Sequence, residues 1–122
     1  MFVGLRTVVY PVDDLAAAKR WWSQVLGIEP YFDEPYYVGF NVGGYELALD
    51  PDGRAESGPG PVTYWGVDDV GRAIAQLQSA GAQVRGGVTD HGSGIRSATA
   101  VNPDGTLIGL IENPHFPGPV PS

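Results

Sequence analysis

The chain has no cysteine, one methionine and only seven Lys plus Arg among its 122 residues. Without cysteine there is no disulfide, no thiolate nucleophile and no thiolate metal site. Apart from the adjacent Lys19-Arg20, the basic residues are scattered singly, against 14 acidic ones. The resulting formal charge of −7 opposes the field of a nucleic acid, so no nucleic-acid partner is expected. The acidity is read as a solubility feature. No apolar run approaches the roughly 20 residues that span a bilayer, so no membrane partner is expected either. The opening stretch, MFVGLRTVVY, lacks the basic start, apolar middle and small-residue cleavage site of a secretory signal, and a cytoplasmic location is expected.

What is present is 43% hydrophobic residue content and a repeat. A chain of this length buries roughly two-thirds of its unfolded surface, enough for a core and a ligand cavity in one domain, here residues 1–114. Within it, YPVDDLAAAKRWW from Tyr10 is echoed by YWGVDDVGRAIAQL from Tyr64. Asp13-Asp14 and Asp68-Asp69 each follow an apolar run and precede a helical pattern, fifty-five positions apart. The carboxylates are candidate N-caps, and Leu15, Ala18, Trp22, Val25 and Leu26 share one helical face that ends at Gly27. In the second half Val70, Ala73, Ile74, Leu77 and Ala80 do the same, stopped by Gly81. Strands are predicted over residues 5–10, 30–33, 36–42, 45–49, 62–67, 83–88, 95–101 and 107–111. Gly43-Gly44 and NPDG, Asn102 to Gly105, supply hairpin turns. The proline- and glycine-rich residues 51–61 read as a linker between repeat one, about 3–50, and repeat two, about 62–113. The proline-rich tail, 115–122, is expected to extend without a core of its own. The fold class is therefore α+β, built from two βαβββ repeats related by a pseudo-twofold axis.

A strand, then VDDLAAAKRWWSQVLG, then a hairpin, repeated with VDDVGRAIAQLQSAG and NPDGTLIGLIE, resembles the vicinal oxygen chelate superfamily. That superfamily contains glyoxalase I, extradiol dioxygenases and bleomycin-resistance proteins. The resemblance covers about residues 3–114 and rests on the ordered pair of units. It implies curved mixed sheets around a cup, helices outside, a functional site on the concave face and, as in many relatives, a homodimer. Metal-dependent members hold a divalent ion with His, Glu or Gln from the first and last strand of each unit. By this resemblance the slots fall at Thr7, Ala48 (or its neighbours Leu47 and Leu49), Val62 and Gly109. Those residues offer at most one neutral hydroxyl, whereas a divalent cation needs anionic or imidazole donors to offset its dehydration. No metal and no other cofactor is expected, and chemistry that uses the metal as Lewis acid loses its basis.

Strand alternation puts Thr7, Val9, Glu46, Ala48, Val62, Tyr64, Leu107, Gly109 and Ile111 on the concave side. Val8, Tyr10, Thr63, Trp65, Ile108 and Leu110 then face the helices. Small residues at 48 and 109 leave volume for an organic ligand unless neighbouring aromatics fill it. Glu46 and Tyr64 are candidates for catalysis or ligand anchoring, although each also fits an ordinary strand position, and no catalytic residue is assigned. His91, in the glycine-flanked loop TDHGSGIR, and the adjacent Arg96 are candidate ligand contacts, although a solvated surface position is the commoner place for each. Within the aromatic cluster of residues 31–40, Tyr36 and Phe40 are taken as pocket walls, with Val38 on the same parity. Trp21 and Trp22 are assigned to core packing. The expected function is binding of an organic, aromatic or amphipathic small molecule in the cup, as in the bleomycin-resistance branch. The alternative is a lyase, isomerase, cyclase or dioxygenase-like enzyme of the same fold.

Overall fold

A computed structural model describes residues 2–53 and 60–116. Residues 54–59 of the expected linker and 117–122 of the expected tail lie outside the described residues. The elements run β1 (Phe2–Pro11), α1 (Leu15–Leu26), β2 (Phe32–Glu34), β3 (Tyr37–Val42), β4 (Tyr45–Asp50), β5 (Val62–Val67), α2 (Val70–Ser79), β6 (Gln83–Gly92), β7 (Ile95–Val101) and β8 (Leu107–Glu112). This is the βαβββ order twice over.

Both helices begin where the acidic pairs predict. Asp14 is the N-cap of α1 and accepts from the Ala17 amide; Asp69 caps α2 and accepts from the Arg72 amide, each at 3.0 Å. Such caps satisfy amides that have no partner inside the helix. The Val70 amide of α2 gains a further acceptor in Glu112 Oε2, at 2.8 Å, which ties the helix start to β8. Gly27 ends α1 with φ +70°, and Gly43-Gly44 turn with φ +62° and +93°, conformations that a Cβ penalises.

The eight strands form one curled sheet in the order β2-β3-β4-β1-β5-β8-β7-β6. β1 and β5 are antiparallel and join the two units at the centre, with Thr7 opposite Tyr64 and Val9 opposite Val62. Each central strand has a parallel partner from its own unit: Thr7 beside Glu46 and Val9 beside Ala48, Tyr64 beside Gly109. Ala48 and Gly109 are thus equivalent positions of the repeat.

Period-two alternation separates two faces. Val9, Tyr37, Ala48, Val62, Tyr64, Ile95 and Ile111 form one buried cluster on the concave side, flanked by Phe32, Tyr36 and Leu107. On the other side α1 covers Val38, Phe40 and Leu49 with Leu15, Ala18, Trp22 and Leu26, while α2 covers Leu110 and Ala98 with Val70 and Ala73. Trp21 lies edge-on to Trp22 at 4.9 Å but is 57% exposed, so only Trp22 packs into the core and the assignment of Trp21 to it does not hold. Among the described residues no helix is long and apolar enough to cross a membrane.

The structure differs from the sequence reading at four further places. Phe40 and Val38 face α1, because β3 begins at Tyr37 and its odd residues point into the cup. β6 continues to Gly92, so His91 belongs to a strand rather than a loop, and the turn is confined to Ser93 and Gly94. Arg96 pairs with Glu112 at 3.6 Å on the helix side of β7, away from the cup. The tail re-enters the core at Phe116, which is 3% exposed.

Candidate functional site

The largest polar cluster described on the concave face is centred on Glu46, which is 2% exposed. Parallel pairing of β1 with β4 sets Thr7 beside it, and the Thr7 hydroxyl donates to Glu46 Oε1 at 2.6 Å. Tyr37, at the start of β3, donates to the same oxygen at 2.9 Å. Tyr31, just before β2, donates to Oε2 and accepts from the Asn113 amide at 3.1 Å. The cluster fits because Gly39 has no side chain: a Cβ there would lie 2.8 Å from the Tyr31 ring.

Burial pushes the Glu46 carboxyl above its ordinary range, and hydrogen bonds from Thr7, Tyr31, Tyr37 and Asn113 pull against that rise. Burial, reinforced by the neighbouring carboxylate, pushes both tyrosine hydroxyls up, so they remain donors. The arrangement is a buried acidic group held by three hydroxyl donors, two on Oε1 and one on Oε2.

A second polar pair lies across the cup, where His91 Nε2 and the Ser97 hydroxyl are 2.7 Å apart. The His91 ring is 6.4 Å from that of Tyr37. Between the two groups lies a cavity of about 10 Å³, lined by Val9, Tyr37, Asp50, Tyr64, His91, Ser97 and Ile111. That is room for about one water molecule. The volume expected at position 109 is filled by Tyr64: a Cβ on Gly109 would lie 2.5 Å from Tyr64 Cγ. A larger depression of about 490 Å³ lies outside the cup, between α1 and the β2–β3 region, where Lys19 is already paired with Asp33 at 2.6 Å.

The rim is closed by contacts between the two halves. The Tyr36 and Ser93 hydroxyls meet at 2.9 Å, and His115 Nε2 lies 2.8 Å from the Ser93 carbonyl. Phe116 packs its ring on Tyr31 at 5.1 Å, and His115 packs on Phe32 at the same spacing. Arg6 reaches the Phe116 carbonyl at 3.0 Å.

Of the residues proposed from sequence, the structure brings Thr7, Val9, Glu46, Ala48, Val62, Tyr64, His91, Gly109 and Ile111 to the concave face, with Tyr36 and Leu107 at its edge. It does not bring Phe40 or Arg96. The sequence reading missed Tyr31, Tyr37, Asn113, Arg6 and Phe116. For Tyr37 the available signal was parity counted from Gly43-Gly44, since Tyr37 is an even number of residues before Gly39, which pairs with Ala48.

Comparison with protein-family models matches residues 4–110 to the Glyoxalase/Bleomycin resistance protein/Dioxygenase superfamily. The chain belongs to this superfamily. A search of the curated proteins finds no match. Solved structures share the fold at low identity. A structure titled NAD-dependent benzaldehyde dehydrogenase from Legionella pneumophila is 16% identical with a TM-score of 0.70, over 87% of this chain and 96% of that one. A methylmalonyl-CoA epimerase of Streptomyces coelicolor, in complex with 2-nitronate-propionyl-CoA, gives 18% and 0.68 over 98% and 100%. The epimerase of Mycobacterium tuberculosis gives 22% and 0.66 over 98% and 90%.

The superfamily's divalent ion does not fit the residues present. Thr7 already donates its hydroxyl to Glu46, Ala48 and Val62 carry no donor, and the ring of Tyr64 covers Gly109. Among the described residues no three His, Asp or Glu side chains converge. At the four slots themselves no carboxylate or imidazole is present, so nothing there supplies the charge to replace an ion's water.

Proposed function

We propose that this member of the superfamily binds a small organic molecule on its concave face, with the Glu46 cluster as the polar anchor among aromatic walls. One observation carries the reading: a carboxylate is buried with three hydroxyl donors beside a largely hydrophobic core. Burying an ionised network does not strengthen a fold relative to well-packed apolar residues, so stability does not account for it. Specific polar groups in an apolar concavity are the usual composition of a ligand site.

Access requires the rim to part. The Tyr36–Ser93 and His115–Ser93 hydrogen bonds are exposed and therefore easily exchanged for water, in contrast to the interior contacts beneath them. A second reading, proton transfer on a small metabolite, draws support from the raised Glu46 and from structural neighbours named as epimerases. It ranks below binding because three hydroxyl donors already occupy most of the lone pairs that a general base would use.

A thermal-shift screen with aromatic metabolites and peptide antibiotics tests the proposal. A ligand at about 100 times its Kd adds roughly 2.7 kcal/mol of stability. Hits are expected to weaken in Tyr64→Ala and Glu46→Gln. Hits unaffected by both substitutions, or a broad panel without any shift, overturn it.

A further inference from the structure

Arg6 occupies an unusual position. The register of β1 against β5 slips between Leu5 and Thr7, which inserts Arg6 as the extra residue of a bulge. A bulge turns adjacent side chains toward the same face, and Arg6 joins Thr7 on the concave side. Its guanidinium lies over Gly66, where a Cβ would be 2.8 Å from both Nε and Nη2. No ion pair engages Arg6 among the described residues. Nη1 donates to the Phe116 carbonyl, and Nε is buried without a partner. A guanidinium presents a planar fork matched to a carboxylate or phosphate. Here a single peptide carbonyl takes one prong, and an N–H is left desolvated with nothing to accept from it.

We infer that Arg6 is the anion-binding element of the concave site, that its ligand is an organic acid, and that the Phe116 carbonyl occupies the place of one carboxylate oxygen until the acid displaces it. The inference rests on the ligand-binding reading and names the class of ligand. The ring of Tyr31, on which Phe116 now packs, is uncovered by that displacement and favours an aromatic or apolar body on the acid. A carboxylate at Arg6 engages both the Nη1 now on the carbonyl and the unpartnered Nε, which a neutral amide of the same shape cannot do with equal strength.

The test is NMR titration of the isotopically labelled full chain with benzoate and with benzamide, following the amides of Thr7, Gly66, Tyr64 and Ile111. Benzoate is expected to perturb them and to bind at least about tenfold more tightly than benzamide. Arg6→Gln removes that preference, and Arg6→Lys keeps part of it through charge without the fork. Gly66→Ala keeps the charge but pushes the guanidinium aside, and it weakens benzoate while leaving benzamide unchanged. Phe116→Ala frees the strap from Tyr31 and tightens benzoate. Equal binding of acid and amide at these amides overturns the anion site and leaves the ligand-binding reading standing. Failure of both probes to perturb the concave face overturns both. A weaker benzoate complex in Phe116→Ala overturns the displacement, since the strap would then be holding the ligand.

Discussion

Tyr31→Phe removes a single oxygen from the Glu46 cluster and isolates what that oxygen does. The hydroxyl donates to Glu46 Oε2 and accepts from Asn113, so its loss strips one donor from a carboxylate that is 2% exposed and leaves the amide to find water. A hydrogen bond to a charged group contributes about 1.5–3 kcal/mol, and Oε2 has little solvent to compensate. A loss of about 2 kcal/mol is expected at pH 7. For a domain of this size that is a fall in Tm of about 7 °C. The same substitution in a Glu46→Gln background removes only a bond between neutral groups, costing about 0.5–1.5 kcal/mol, so the double-mutant cycle shows a coupling of about 1 kcal/mol. Urea unfolding of the four proteins measures it. The reasoning is refuted if Tyr31→Phe lies within about 0.5 kcal/mol of wild type, or costs the same in both backgrounds.

Glu46 also makes stability depend on pH. Burial raises its folded-state pKa above the ordinary value near 4.5, so the folded chain holds a proton that the unfolded chain has released. The stabilisation is complete below the unfolded value and is lost as pH rises through the folded one. The advantage of Glu46→Gln over wild type therefore grows from about pH 4.5 upward, and a gap that narrows with rising pH in urea titrations counts against a raised carboxyl. Gly109→Ala drives a methyl into the boxed ring of Tyr64, an overpacking that costs about 1–3 kcal/mol. Combining it with Tyr64→Ala, which opens space, should abolish that increment; an increment that persists would locate the strain elsewhere. Phe40→Ala, beneath α1, is expected to cost about 3–5 kcal/mol in chemical denaturation while leaving ligand affinity of the folded protein unchanged.

The repeat made the fold legible. Asp14 and Asp69 start helices through the same physical device, and period two fixed the inward parity of β1, β4, β5 and β8, because each of those strands could be counted from a turn or a cap. β3 failed this test. With aromatics at both parities, Tyr36, Tyr37 and Phe40, the segment looks alike in either register, and Phe40 is assigned to the cup from sequence when Tyr37 belongs there. The same weakness misplaced His91, since the glycines that suggested a loop sit in an irregular strand with two register shifts. Glu46 was found by counting, but its donors come from 39, 15, 9 and 67 positions away, and no local pattern reports on them. Arg6 escaped for a different reason. A bulge changes which side of the sheet a residue faces, and nothing in MFVGLRTVVY marks where the extra residue is inserted.

The duplicated fold is not matched by a duplicated site. Ala48 and Gly109 occupy equivalent places, and two residues earlier in each last strand stand Glu46 in the first unit and Leu107 in the second. The first strands differ in the same sense, with Thr7 in one unit and Val62 in the other. A metal held on the pseudo-twofold axis draws its donors from both halves, but here only the first half contributes one. The second half offers apolar walls, the Tyr64 ring and the His91–Ser97 pair. Under the proposed function, a ligand would find its carboxylate anchor on unit one and no equivalent anchor on unit two. That polarity is a property of side chains alone, because the backbone that carries them is nearly symmetric. Exchanging Thr7 and Glu46 for the Val and Leu of the other unit would therefore preserve the fold while erasing the direction in which a ligand lies.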